Sequence, residues 1–152
     1  MSRLHNLWML PTFISAACWA QEAFGTWKMN PSRSSLGPDS HAREITLRIE
    51  RHAKGEVFTV DRILANGRAA TSSMILYLNG QPRAFQGETC SGTQSSQRLD
   101  ERTVEVRFQC QNGRSVLMVR RISAEARILI LEISDQLPGS RRLQCRLVLE
   151  KQ

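Results

Sequence analysis

The sequence predicts an all-β domain: an antiparallel up-and-down meander of about eight to ten strands closed into a barrel. Three observations carry that prediction. Apolar and polar residues alternate with period two over most of the chain past residue 21, which is the pattern of a half-buried strand. The pairs Lys54-Gly55, Asn66-Gly67, Asn79-Gly80 and Asn112-Gly113 separate the apolar stretches, and Asn-Gly in that setting signals a hairpin. Such short connections leave no room for the crossovers of a two-sheet sandwich, and closing a long meander removes its exposed edges.

The first twenty residues stand apart. Arg3 precedes an uncharged run, Leu7 to Ala20, that is broken by Pro11 and too short to span a bilayer comfortably. It reads as a signal peptide over 1–20, with Cys18 and Ala20 in the small-residue places before the cut. The mature chain, 21–152, is then a single barrel domain, expected in the periplasm or secreted. Lipid anchoring at Cys18 is the lesser alternative, because Ser15 stands where such signals usually hold leucine. No later stretch is apolar for long enough to cross a membrane, so no transmembrane segment is expected in the mature chain.

Strands are expected at 24–29, 43–51, 56–65, 69–78, 83–87, 95–99, 103–110, 114–122, 126–134 and 143–150. The alternation is clean at Ile45, Leu47 and Ile49, and at Val104, Val106, Phe108 and Cys110. It recurs at Leu143, Cys145, Leu147 and Leu149, while Ile128 to Ile133 is a more fully apolar run, interrupted by Glu132 alone, and reads as a well-covered strand. Two further tight connections fall at Asp100–Arg102 and Ser123–Glu125. Asn30 to Ser40, rich in Pro, Gly and Ser, is the one irregular loop or short helical lid.

Composition narrows the function. The net charge is +7, and only Lys28, Lys54 and Lys151 are lysines, so the basicity is almost all arginine. Those arginines are scattered at alternate positions, as on a solvated outer face, although anionic partners such as lipid headgroups or polysaccharides would suit the charge. Aromatics at 6% are too few for a base-stacking platform, so no nucleic-acid partner is expected. His41 and His52 sit in polar settings, and no nucleophile elbow, Cys-x-x-Cys, His-Glu-x-x-His or calcium-loop spacing occurs. Asp100 and Glu101 are simply adjacent at a turn. No catalytic residue, metal site or cofactor is expected, and the chain does not read as an enzyme.

One segment is more specific. Gly25-Thr26-Trp27-Lys28-Met29-Asn30-Pro31, with Ser32, Ser34 and Ser35 after it, resembles the opening of small exported bacterial proteins described as lipocalin-like. Thr103 to Val106, Arg120-Arg121 and the closing Leu149 to Lys151 extend that resemblance weakly along the chain. It implies a calycin-type barrel, lipocalin-like or fatty-acid-binding-protein-like. In that group the tryptophan of Gly-x-Trp closes one barrel end and an arginine of the last strand packs on it, which points to Gly25, Trp27 and Arg146, with Arg141 and Arg142 as rivals. Physically, Trp27 supplies a large plug whose indole N–H needs an acceptor.

A barrel of this size can enclose one small apolar ligand. The alternation nominates Phe58, Val60, Tyr77, Val104, Val106, Phe108, Met118, Ile130 and Leu147 as interior. Arg120 shares the phase of Val116 and Met118. Its first reading is a water-exposed position at the rim; turned inward, it would suit a carboxylate head group, as the resemblance to fatty-acid-binding barrels implies. The expected function is binding of a small hydrophobic or amphipathic molecule. The alternative is a protein-interaction or inhibitor module of the cell envelope, using the basic outer face and having no ligand cavity.

Removing Cys18 leaves Cys90, Cys110 and Cys145 in an oxidising compartment. If Leu99 faces Thr103 across the turn, Cys110 falls opposite residue 92, two residues from Cys90. A Cys90–Cys110 disulfide is therefore expected, bridged across a bend at Ser91-Gly92, with Cys145 left as a buried free thiol.

Overall fold

The computed structural model describes residues 23–38 and 40–152; the expected signal peptide lies outside the described residues. Ten strands follow in chain order: β1 (Gly25–Met29), β2 (Ala42–His52), β3 (Gly55–Leu64), β4 (Ala69–Leu76), β5 (Arg83–Gln86), β6 (Ser91–Arg98), β7 (Thr103–Cys110), β8 (Ser115–Ile122), β9 (Ile128–Leu137) and β10 (Ser140–Lys151). They form one sheet in the order β4-β3-β2-β1-β10-β9-β8-β7-β6-β5, with every neighbouring pair antiparallel. The expected meander is thus the observed one, and pairing of the first strand with the last curls it into a barrel.

The two ends of the sheet order, β4 and β5, are not hydrogen-bonded neighbours. The Asn79-Gly80 pair, which reads as a hairpin turn, instead lies in the connector that crosses this break. Gly80 N–H donates to the Ser96 carbonyl at 2.7 Å and Leu78 N–H to Ser96 Oγ at 2.9 Å. The Gln94 amide reaches Met74 Sδ at 3.4 Å. Side chains and connector backbone, rather than a ladder, close the wall here.

Register explains which side chains point inward. Trp27 faces Leu47, Leu47 faces Val60, and Ile49 faces Phe58. Across the other half, Phe108 faces Val116, Val106 faces Met118 and Arg120 faces Leu131, which in turn faces Leu147. Trp27, Leu47, Ile49, Phe58, Val104, Val106 and Leu129 are all buried in one cluster.

Some sequence expectations need correction. Ile130 points outward, because its neighbours Leu129 and Leu131 take the inward phase. Leu143 is exposed: a bulge at Gln144 shifts the register between Leu143 and Cys145 and breaks the alternation. The same hairpin is longer than expected, since β9 and β10 run on to a tight turn at Pro138-Gly139. After β1 the chain makes one 3-10 turn (Pro31–Arg33) and stays beside β10, with Ser35 and Arg146 exchanging two backbone hydrogen bonds of 2.8 Å. Leu36 from this loop packs on the core.

Candidate functional site

The barrel has a closed end and a more open one. The N-terminal end of β1, the 52–55 turn and the C-terminal end of β10 share the closed end. There Trp27, Ile49, Leu76, Leu129 and Leu149 are each at most 1% exposed. Trp27 is the plug. Its Nε1–H donates to the Ala23 carbonyl at 2.9 Å, and the Lys151 ammonium sits 5.2 Å from the indole centroid. Gly25 lies beside it with φ +131°, and a Cβ there would stand 3.3 Å from Lys151 Cε. Glycine at this point therefore serves both the backbone conformation and the lysine chain.

The cation on the plug is a correction to the expected Arg146. Trp27 pairs directly with Lys151, so those two share the inward phase, and from Cys145 onward, past the bulge, the even-numbered positions of β10 face out. Arg146 accordingly approaches Glu132 on the outer surface, 3.5 Å away. Arg141 and Arg142 are exposed near the opposite end.

Toward that opposite end the inward residues Val60, Phe108, Val116 and Ile133 are only half-buried, as is Met74 beside the β4–β5 break. They form an apolar mouth over the filled floor. Phe85 packs against Phe108 with the rings tilted at 56° and their centroids 5.0 Å apart. Phe58, Val106, Phe108 and Met118 are therefore brought together on the inner face as expected. Tyr77 is not among them. It follows Leu76, which takes the inward direction, and its ring lies against the Arg83 guanidinium, 3.7 Å from Cζ to the centroid.

Arg120 is the largest revision. It is 1% exposed, not at a wet rim, and its guanidinium is ion-paired with Glu56, itself 1% exposed. Arg120 is on β8 and Glu56 on β3, five places apart in the sheet order, so the pair can meet only across the lumen. Glu56 was legible in hindsight, since it shares the phase of Phe58 and Val60. Sequence reading also passed over Gln94 and Ser96, buried inward residues of β6 at 6% and 3% exposure.

At the mouth, Asp135 accepts from Arg114 Nε at 2.7 Å, Arg142 at 3.1 Å and the Gln144 amide at 2.6 Å. Burial pushes its carboxyl up, but the two arginines more than offset this and hold it below the usual carboxylate range. Cys145 is free and half-buried rather than buried, and loss of hydration pushes its thiol up.

The Cys90–Cys110 disulfide is present. Gly92 faces Cys110, the register the sequence implies, and a Cβ on Gly92 would lie 2.0 Å from the Gln109 carbonyl oxygen. Only glycine lets the strands approach this closely.

A shallow hollow of about 340 Å³ lies over β6–β9, lined by Thr93, Ser95, Arg107, Phe108, Gln109, Ser115, Val116 and Gln136, and another of about 180 Å³ by Gly80, Ser95, Gln97, Glu105 and Arg107. Outer arginines are tied to acids there and elsewhere, as in Arg48–Asp61 at 3.0 Å and Arg121–Glu132 at 2.9 Å. Among the described residues, no group of three or more His, Cys, Asp and Glu is placed to hold a metal ion, and no helix is long and apolar enough to cross a membrane.

Neither a family model nor a curated protein sequence matches the chain. Solved structures do. The fold is similar to a Schistosoma mansoni fatty acid binding protein in complex with arachidonic acid, with TM-score 0.56 and 6% identity over 88% of this chain and 98% of that one. It is also similar to the zebrafish ileal bile acid-binding protein complexed with cholic acid, with TM-score 0.54 and 10% identity over 86% of this chain and 99% of that one. At such identities the likeness is one of fold.

Proposed function

We propose that the chain is an exported, non-enzymatic lipocalin-like barrel that binds a small hydrophobic or amphipathic molecule inside its lumen. The observation that carries this reading is the asymmetry of the inner face. A floor sealed by Trp27 underlies inward apolar side chains at Val60, Phe108 and Ile133 that remain half-buried. A barrel that was only a scaffold would gain from filling that end too. The two similar folds were solved with arachidonic acid and cholic acid, which supports a guest of this class. Export is supported by the uncharged run from Leu7 to Ala20 and by the disulfide.

Native mass spectrometry of protein purified from its own host tests the binding reading. A co-purifying small molecule is the expected result. Its absence, with no shift in melting temperature across fatty acids and terpenoids, would refute the reading. N-terminal sequencing of exported material should begin at Gln21; a start at Cys18 with added lipid mass would replace free export by anchoring.

A further inference from the structure

Two arginines of the inner face carry a buried Nε–H with no acceptor among the described residues, Arg120 near the floor and Arg62 at the mouth. Arg62 follows Glu56, Phe58 and Val60 in the inward phase of β3 and stands across the ladder from Ile45, a core residue. Its side chain therefore leaves the sheet on the inner face. Along β3, about 20 Å of strand separates it from Glu56 and about 13 Å from Phe58.

The surroundings of the two arginines decide which can take a new anion. Arg120 and Glu56 are ion-paired with side chains 2% and 1% exposed. A carboxylate brought there would stand beside Glu56 as a second buried anion on one cation, which is strongly unfavourable. Arg62 is held loosely. Its Nη2 lies 3.4 Å from Glu88, in the turn between β5 and β6, and Glu88 is 70% exposed. An ion pair so long and so wet contributes little, and Glu88 can return to water when a better acceptor arrives. The edge of the Arg62 guanidinium formed by Nε and Nη2 thus has one donor unused and the other weakly engaged, and that edge fits the two oxygens of a carboxylate. Across the mouth, Arg114 and Arg142 both bond Asp135, at 2.7 and 3.1 Å. Two cations on one acid add positive potential at the rim, but Arg114 Nε is already spent there.

We propose that Arg62 is the head-group residue of the lumen. It takes the carboxylate of an anionic amphiphile at the mouth, with the apolar tail descending past Val60 toward Phe58, and Arg120 takes no part in holding the guest's charge. This rests on the binding reading above.

The test is displacement of Nile red from the purified protein at pH 8 by decanoate and by 1-decanol, which share a chain length. Arg62→Gln should raise the decanoate concentration needed by about tenfold and change that of 1-decanol by less than about twofold. Glu88→Gln removes the competing carboxylate and should lower the decanoate concentration by about two- to threefold, again with 1-decanol unmoved. Unchanged decanoate displacement in Arg62→Gln would put the head group elsewhere and overturn the inference. An equal loss for both probes would overturn it too, by making Arg62 a wall residue with no preference for charge. If Arg62→Gln does not fold, Glu88→Gln decides, and no gain for decanoate over 1-decanol there refutes the assignment. In each of these cases the wild type still binds a probe, so the binding reading stands. Failure of Nile red and both probes to bind the wild type would sink the binding reading and this one with it.

Discussion

Lys151 stands directly across the β1–β10 ladder from Trp27, its ammonium 5.2 Å from the centre of the indole ring. The contact sets a hierarchy of effects at the closed end. Trp27→Ala should destabilise by about 3–5 kcal/mol, since it empties the plug. Lys151→Met should cost about 0.5–1 kcal/mol, the size of a partly exposed cation–π contact. Arg146→Met acts on an outer ion pair and should cost no more than about 0.5 kcal/mol. Urea midpoints of the three variants check this, and an Arg146 effect larger than that of Lys151 would remove the lysine from its role.

The Lys151 contact also shows where reading the sequence stops. Period-two alternation locates strands well, because each inward position needs an apolar side chain. The alternation from Thr103 to Cys110 matches β7 residue for residue, and the turn at Asp100–Arg102 implies the Gly92–Cys110 register beside which the disulfide forms. Alternation carries no information on which strands end up facing across a lumen. Glu56 and Arg120 are 64 positions apart, and only the closed sheet order brings them together. A single bulge, such as the one at Gln144, reverses the phase that the alternation assigns to Leu143. Asn79-Gly80 has the chemistry of a hairpin turn whether or not the strands beside it pair.

The Glu56–Arg120 pair makes a stability prediction independent of any guest. Arg120→Met alone leaves Glu56 buried without its partner and should cost about 3–5 kcal/mol. Replacing both, as Glu56→Leu with Arg120→Met, removes two desolvated charges together and should recover most of that loss. Denaturation of the single and double variants at pH 7 gives the comparison. A double variant as unstable as the single one would show that the pair is not the coupled unit the geometry implies.

The Cys90–Cys110 bridge closes a loop with sequence separation 20 across the β6–β7 ladder. Its removal by Cys90→Ser with Cys110→Ser should lower stability by about 3 kcal/mol on the chain-entropy account. Non-reducing peptide mapping of the wild type should recover one linked Cys90/Cys110 pair and leave Cys145 alkylatable after unfolding. A Cys110–Cys145 link would contradict the strand order.

Asp135 makes stability depend on acid. Its carboxyl is buried, which raises its pKa, but hydrogen bonds and charge from Arg114 and Arg142 outweigh that, so the folded value lies below the unfolded one of about 3.9. A group whose pKa is depressed by folding stabilises the native state above the unfolded value, and that contribution is lost as the pH falls through the folded value. Asp135→Asn should therefore cost about 2–3 kcal/mol at neutral pH, where the charged acceptor of two arginines and Gln144 is removed. As the pH falls through and below the carboxylate range, the wild-type carboxyl becomes neutral as well, and the gap between the two proteins should shrink. Urea midpoints of both proteins from neutral pH into acid measure this. Parallel curves over the whole range would mean that the arginine clamp on Asp135 contributes nothing to the fold.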